Sequence, residues 1–263
     1  MKALSLCLAL VVGLTQLSLV QAQTATTEFE PVVGQAGKDV VWVPTPDALI
    51  TKMLKMAEVT AKDFVMDLGS GDGRIPIAAA KEFGANAVGV EFNPDMVALS
   101  NRNAQRAGVT DKVKFVQGDI FETDLSKADV ITMYLLPKIN LQLRPKLLAL
   151  KPGTRIVTHA FDMGDWKADQ HATAEERHAY LWVVPAQVAG QWKVNSGGRE
   201  VEFNLEQKYQ HLSGTARVGK DSYTVSEGRV KGENVHIVLS GDKLPKREFK
   251  GRFANGALTG KLQ

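Results

Sequence analysis

Two hydrophobic rhythms divide this chain. Through residues 38–189, short apolar runs alternate with stretches in which apolar side chains recur every three to four positions, the pattern of strands alternating with amphipathic helices. Phe64 to Met66 reads as a buried parallel strand, followed by strands over Asn86–Val90, Val113–Val116, Ala128–Met133 and Arg155–Thr158. Between them the pattern predicts helices over Ile75–Phe83, Met96–Ala107 and about Lys138–Leu150, the last interrupted by Pro145. An earlier helix opens with Thr45 as N-cap, Pro46 at the first helical position and Asp47 in the first turn. Its apolar face is Leu49, Ile50, Met53, Leu54 and Met56. Val40 to Val43, just before it, is a short strand or an extended lid. Strands and helices alternating with short links imply right-handed crossovers and one parallel sheet, an α/β, doubly wound, Rossmann-like fold. Tyr180–Val184 and Val188–Lys193 are expected to close that sheet as an antiparallel pair.

From Gly190 the rhythm shortens. Glu200–Leu205, Gly214–Val218, Ser222–Val225, Val235–Leu239 and Glu248–Phe253 are short β-like segments separated by turns such as Lys231-Gly-Glu-Asn234 and Gly241-Asp242. Residues 190–263 are therefore expected to form a small all-β meander domain, or a partial barrel. It carries no catalytic constellation, and docking or substrate presentation is the role left for it.

Composition adds little: 44% hydrophobic and 23% charged residues are ordinary for a folded protein, and a formal charge of +3 is too mild to argue for a nucleic acid or a membrane surface. The N-terminus adds more. Met1-Lys2, an apolar run from Ala3 to Val20 and the small-x-small site Val20-Gln-Ala22 read as a secretory signal peptide over residues 1–22, cleaved after Ala22, which makes the mature chain periplasmic or secreted. An uncleaved anchor is the alternative, and Gln16 and Ser18 argue against it. Cys7, the only cysteine, lies inside the apolar run, so the mature chain has no disulfide, cysteine nucleophile or thiolate metal site.

The chemistry gathers at strand ends. Asp67 closes the first strand, and Gly69, Gly71 and Gly73 follow it at alternate positions with Ser70 between the first two. In a doubly wound sheet this turn is a ligand site, because glycines admit a close approach and amide N–H groups point at the ligand. A dinucleotide fingerprint would need a glycine where Arg74 stands. Glu91 ends the second strand 18 residues beyond Gly73, where a carboxylate meets ribose hydroxyls in such sheets. Asp119 follows the third strand with Ile120 beside it. Three acids ending successive strands make a stronger constellation than any one alone.

Trp42-Val-Pro-Thr-Pro46, Asp67-Leu-Gly-Ser-Gly-Asp-Gly-Arg74, Gly89-Val-Glu-Phe-Asn-Pro94 and Tyr134-Leu-Leu-Pro137 together resemble a bacterial group of class I methyltransferases that use S-adenosyl-L-methionine (SAM). That group is similar to the mitochondrial protein-lysine N-methyltransferases acting on the c-subunit of ATP synthase and on adenine nucleotide carriers. The resemblance covers about Val40 to Asp169. It implies that Asp67, Gly69, Ser70, Gly71 and Gly73 line the methionine end of the cofactor, Glu91 the ribose, and Asp119 with Ile120 the adenine. Thr45 is either only the helix cap or, with Val43-Pro-Thr-Pro46, packs over the methionine end, and the resemblance implies that Tyr134 to Pro137 meets the acceptor. His159 or Asp162 could relay the acceptor's proton. Each of these three has a plainer role: Tyr134 packs, His159 caps a strand end, Asp162 holds a turn.

The expected activity is methyl transfer to an amino acceptor such as a protein lysine, or to a small molecule. The absence of an Asn/Asp-Pro-Pro-Tyr/Phe motif argues against a nucleic-acid substrate. Two other classes compete with this reading. One is an exported, non-catalytic nucleotide- or partner-binding module on the same fold, since SAM is made in the cytoplasm. The other is a nicotinamide-dependent oxidoreductase, which Arg74 disfavours.

Overall fold

Burial on both faces explains the near-continuous apolar strands of the first half. In the computed structural model, which describes residues 28–263, they form the centre of a seven-stranded sheet. The expected signal peptide, residues 1–22, lies outside the described residues. The elements run α1 (Asp47–Met56), β1 (Phe64–Leu68), α2 (Arg74–Phe83), β2 (Asn86–Glu91), α3 (Pro94–Ala107), β3 (Val113–Gln117), β4 (Val130–Met133), α4 (Pro137–Leu148), β5 (Arg155–His159), β6 (Gln170–Ala174) and β7 (Arg177–Val183). The strand order is β3-β2-β1-β4-β5-β7-β6, parallel except for β7. One apolar layer joins α1, α2 and α3 to the sheet through Leu49, Met53, Ala79 and Ala104. The other packs α4 on the opposite face around Leu143, Leu147, Trp166 and Trp182.

Three local expectations need correction. Pro46, not Thr45, is the N-cap of α1, and no side chain caps this helix; the Thr45 hydroxyl is engaged elsewhere. α4 continues through Pro145 to Leu148 rather than being interrupted there. The antiparallel pair that closes the sheet is β6 with β7, not Tyr180–Val184 with Val188–Lys193. Pro185 ends that strand run, and β6, a polar edge segment (Gln170-His-Ala-Thr-Ala174), lacks the hydrophobic alternation that would reveal it.

The tail forms a second seven-stranded sheet: β8 (Gly190–Ser196), β9 (Arg199–Lys208), β10 (His211–Val218), β11 (Asp221–Lys231), β12 (Asn234–Gly241), β13 (Leu244–Ala254) and β14 (Ala257–Leu262). Every strand pairs antiparallel with its sequence neighbour, and the Leu262 N–H donates to Ser196 Oγ (2.7 Å), bringing first and last strands together. Period-two alternation turns Val201, Phe203 and Leu205 inward on Ile237 and Phe249. This sheet is tied to the first by Arg229, which pairs with Asp169 (2.6 Å), and by Gln210, whose amide donates to the Lys167 carbonyl (2.7 Å). Among the described residues no helix is long and apolar enough to cross a membrane.

Candidate active site

The strand order reverses between β1 and β4, and a cleft opens there at the carboxyl ends of the strands. Its floor is the turn after β1. The Gly69 and Ser70 N–H groups both donate to the Val90 carbonyl (2.9 and 3.0 Å), which folds the turn back over β2. Glu91 then bridges two loops, accepting from the Gly71 N–H (3.0 Å) and the Asn93 N–H (2.9 Å). Gly71 sits at φ +54°, and a Cβ there would lie 2.7 Å from Trp42 Nε1, so only glycine lets the N-terminal segment and the turn approach this closely.

Asp67 is 2% exposed, and the one hydroxyl facing it, Thr132 Oγ1, donates at 2.6 Å. Burial pushes its carboxyl up to about 7, with Glu91 and Asp72 adding to the rise and the Thr132 bond opposing it. Among the described residues no cation is paired with this acid. Arg74 is engaged elsewhere: its guanidinium grips Asp72 in a two-pronged pair (Nε–Oδ1 3.0 Å, Nη2–Oδ2 2.6 Å) and donates from Nη1 to the Thr45 carbonyl (3.1 Å).

The far end of the cleft holds Asp119, whose Oδ1 accepts from the Phe121 N–H (2.9 Å) and whose Oδ2 meets Lys38 Nζ at 2.6 Å. The hydrogen bond from Lys38 is the main cause holding the Asp119 carboxyl below its ordinary value, and the same contact raises Lys38. At the opposite end, Tyr134 stacks on His159 with ring centroids 3.7 Å apart, and Phe161 lies 6.3 Å beyond. His159 is 1% exposed; its Nδ1 is 3.0 Å from Thr45 Oγ1, while its buried Nε2 has no partner among the described residues. Burial, with a smaller contribution from Arg177, pushes the imidazole down to about 4, so it is neutral at physiological pH.

Thr45, Asp67, Gly69, Ser70, Gly71, Glu91, Asp119, Ile120 and Tyr134 all line the cleft. Three expected site residues do not. Gly73 is not among the lining residues, and a Cβ there would meet Phe115 and Ser100 in the core. His159 is buried against Tyr134 and Thr45 and does not line the cleft. Asp162 is exposed and accepts from the Gly164 N–H (3.0 Å), holding a turn. The cleft wall also carries Trp42, Phe92 and Arg74, which the sequence motifs contain without a site role assigned to them, and Lys38, which lies outside those motifs. Nothing in the sequence around Lys38 marks it.

Because His159 is neutral when folded and takes up a proton near 6.5 when unfolded, its contribution to stability is present above 6.5 and lost as pH falls towards 4. His159→Phe keeps the stack on Tyr134 and removes that acid sensitivity, while unpairing the Thr45 hydroxyl at a cost of about 1 kcal/mol. Thermal melts of both proteins at pH 5 and 7.5 check this: the variant should be the less stable at 7.5, and the gap should narrow at 5.

The cleft brings together one buried acid, Asp67, a second acid beside the glycine turn, Glu91, and a third beside Ile120, Asp119. Fold and site together define a class I SAM-dependent methyltransferase. Residues 67–170 match the ANTKMT methyltransferase domain. The protein-lysine N-methyltransferase of Saccharolobus islandicus is 43% identical over 151 residues, covering 55% of this chain and 94% of that protein. The human lysine N-methyltransferase named for the C-subunit of ATP synthase is 37% identical over 135 residues, covering 51% of this chain and 57% of that one. A crystal structure described as an RNA methyltransferase from Salinibacter ruber, in complex with S-adenosyl-L-homocysteine (SAH), shares 49% identity with a TM-score of 0.54, covering 56% of this chain and 96% of that chain. The chain belongs to the methyltransferase family of the Saccharolobus protein-lysine N-methyltransferase, and it spans about half the length of the ATP synthase C-subunit lysine N-methyltransferases it matches.

Proposed function

We propose that this enzyme methylates the ε-amino group of a lysine in a protein. The observation that carries the acceptor class is the 43% identity, over 94% of its length, to a protein-lysine N-methyltransferase. The names of the archaeal and mitochondrial relatives support the same reading. Asp67 holds the methionine ammonium through its free carboxylate capacity, Glu91 the ribose hydroxyls, and Asp119 with Ile120 the adenine, while Gly69, Ser70 and Gly71 let the ligand reach the backbone. Bound SAM supplies an electrophilic methyl carbon, so that a nitrogen–carbon bond forms as the sulfur–carbon bond breaks and SAH leaves.

A lysine must shed its proton before it can attack. Tyr134, Leu135 and Thr45 make the acceptor end a mostly desolvated wall, which lowers the amine's affinity for that proton. Alignment then does the rest, and no protein base is required. His159 acts through Tyr134 and Thr45 as a positioning residue. The Salinibacter relative favours a second reading, an RNA acceptor. We further read residues 38–189 as the catalytic domain and 190–263 as an appended β-domain, supported by a family match confined to residues 67–170 and by the separate antiparallel sheet of the tail. Export after cleavage behind Ala22 is the proposed address, supported by the apolar run Ala3–Val20.

Methyl-labelled SAM incubated with envelope extract, followed by protease or ribonuclease, tests the acceptor. Label should survive ribonuclease and appear as methyl-lysine on hydrolysis, and Tyr134→Ala, which opens the wall to water, should lower turnover about tenfold. Label released only by ribonuclease would replace the lysine reading with the RNA one.

A further inference from the structure

The N-terminal hairpin puts a lysine where the adenine ring has to go. Residues 34–42 fold back on themselves: the Gly34 N–H donates to the Trp42 carbonyl (2.8 Å), the Trp42 N–H to the Gln35 carbonyl (2.9 Å) and the Gly37 N–H to the Val40 carbonyl (3.0 Å). Lys38 stands at the tip. Its ammonium touches Asp119 and lies 5.0 Å from the Phe92 ring centroid and 5.9 Å from that of Phe121, so a cation faces two aromatic rings and an acid.

An adenine entering the slot needs the same three groups. It offers an amino group to Asp119 and a flat face to the rings, and it cannot share that space with the ammonium. We infer that the hairpin is a plug on the nucleotide slot, with Lys38 held by Asp119 until an adenine amino group displaces it and swings the tip outward. This rests on Asp119 being the adenine acceptor.

Two features make the plug exchangeable. The Lys38 and Asp119 side chains are 33% and 29% exposed, so water screens their attraction and an incoming ligand can compete for it. The hairpin also has a fixed base: Thr45 is anchored through its carbonyl by Arg74 and through its hydroxyl by His159, leaving Val43-Pro44 as the hinge. Exchange of one amino donor for another further implies selectivity for adenine over a purine with a carbonyl in place of the amino group.

Calorimetric titration of SAH into the full chain tests the plug. Lys38→Met, which keeps the apolar stem and removes the charge, should tighten SAH about three- to tenfold, while Lys38→Arg should bind as the wild type does. Unchanged or weaker binding by Lys38→Met would overturn the plug. Asp119→Ala separates the two readings: if it weakens SAH while Lys38→Met has no effect, the adenine assignment stands and the plug alone falls. If Asp119→Ala in the Lys38→Met background binds SAH like Lys38→Met alone, the adenine assignment falls and takes the plug with it.

Discussion

Asp67→Asn should bind SAM about 10- to 100-fold more weakly than the wild-type chain, yet melt at a higher temperature above pH 7 when no cofactor is present. Both effects come from one buried carboxyl. Unfolded, it titrates near 3.8; folded, burial has pushed it up to about 7. The folded state therefore prefers the protonated form, and this stabilising preference is fully present below 3.8 and lost as pH rises through 7. Above 7 the ionised group costs roughly 2–4 kcal/mol in the empty protein, and asparagine, which cannot ionise, escapes that cost. The cofactor's ammonium reverses the balance by favouring the ionised acid, so wild-type binding should release a proton below pH 7 and strengthen between pH 6 and 8. Calorimetry in two buffers of different ionisation heat reads the proton directly. An asparagine variant with the wild-type pH slope would remove Asp67 from the ammonium's site.

Much of this was legible because the physics is local. The glycine turn and the three acids are fixed by strand ends and short loops, and an apolar run followed by an acid marks a strand end without help from the rest of the chain. What escaped the sequence depends on contacts across it. Lys38 meets Asp119, and Thr45 meets His159, only after the sheet has assembled. A threonine before a proline looks like a helix cap from local pattern, and the competing hydrogen bond to a distant imidazole overrides it. β6 escaped for a different reason: an edge strand exposed on most of its surface needs no hydrophobic alternation. His159 and Asp162 sit near the acceptor end in sequence order, but the turn after β5 buries one side chain and points the other to water.

The glycine turn holds the subtlest of these differences, because one repeating motif serves two ends. Gly73→Ala should cost roughly 2–4 kcal/mol of folding stability, and more than Gly71→Ala. Gly73 caps α2 at φ +83°, which strains any side chain, and a Cβ there would lie 2.5 Å from Phe115 Cζ and 2.9 Å from Ser100 Cβ. Neither neighbour yields readily. Ser100 is held by donating to the Gly71 carbonyl (2.7 Å), and the Phe115 ring also fills the space over Gly89, where a Cβ would come within 2.5 Å of it. At Gly71 the obstacle is Trp42, on the N-terminal hairpin, which can shift without disturbing the core. Gly71→Ala should therefore keep most of its stability and lose SAH affinity, and Gly73→Ala the reverse. Urea unfolding without cofactor ranks the two, and Phe115→Leu added to Gly73→Ala should recover about 1 kcal/mol by vacating the clash. Recovery would assign Gly73 to packing against Phe115; equal stability of the two single variants would return it to the cofactor.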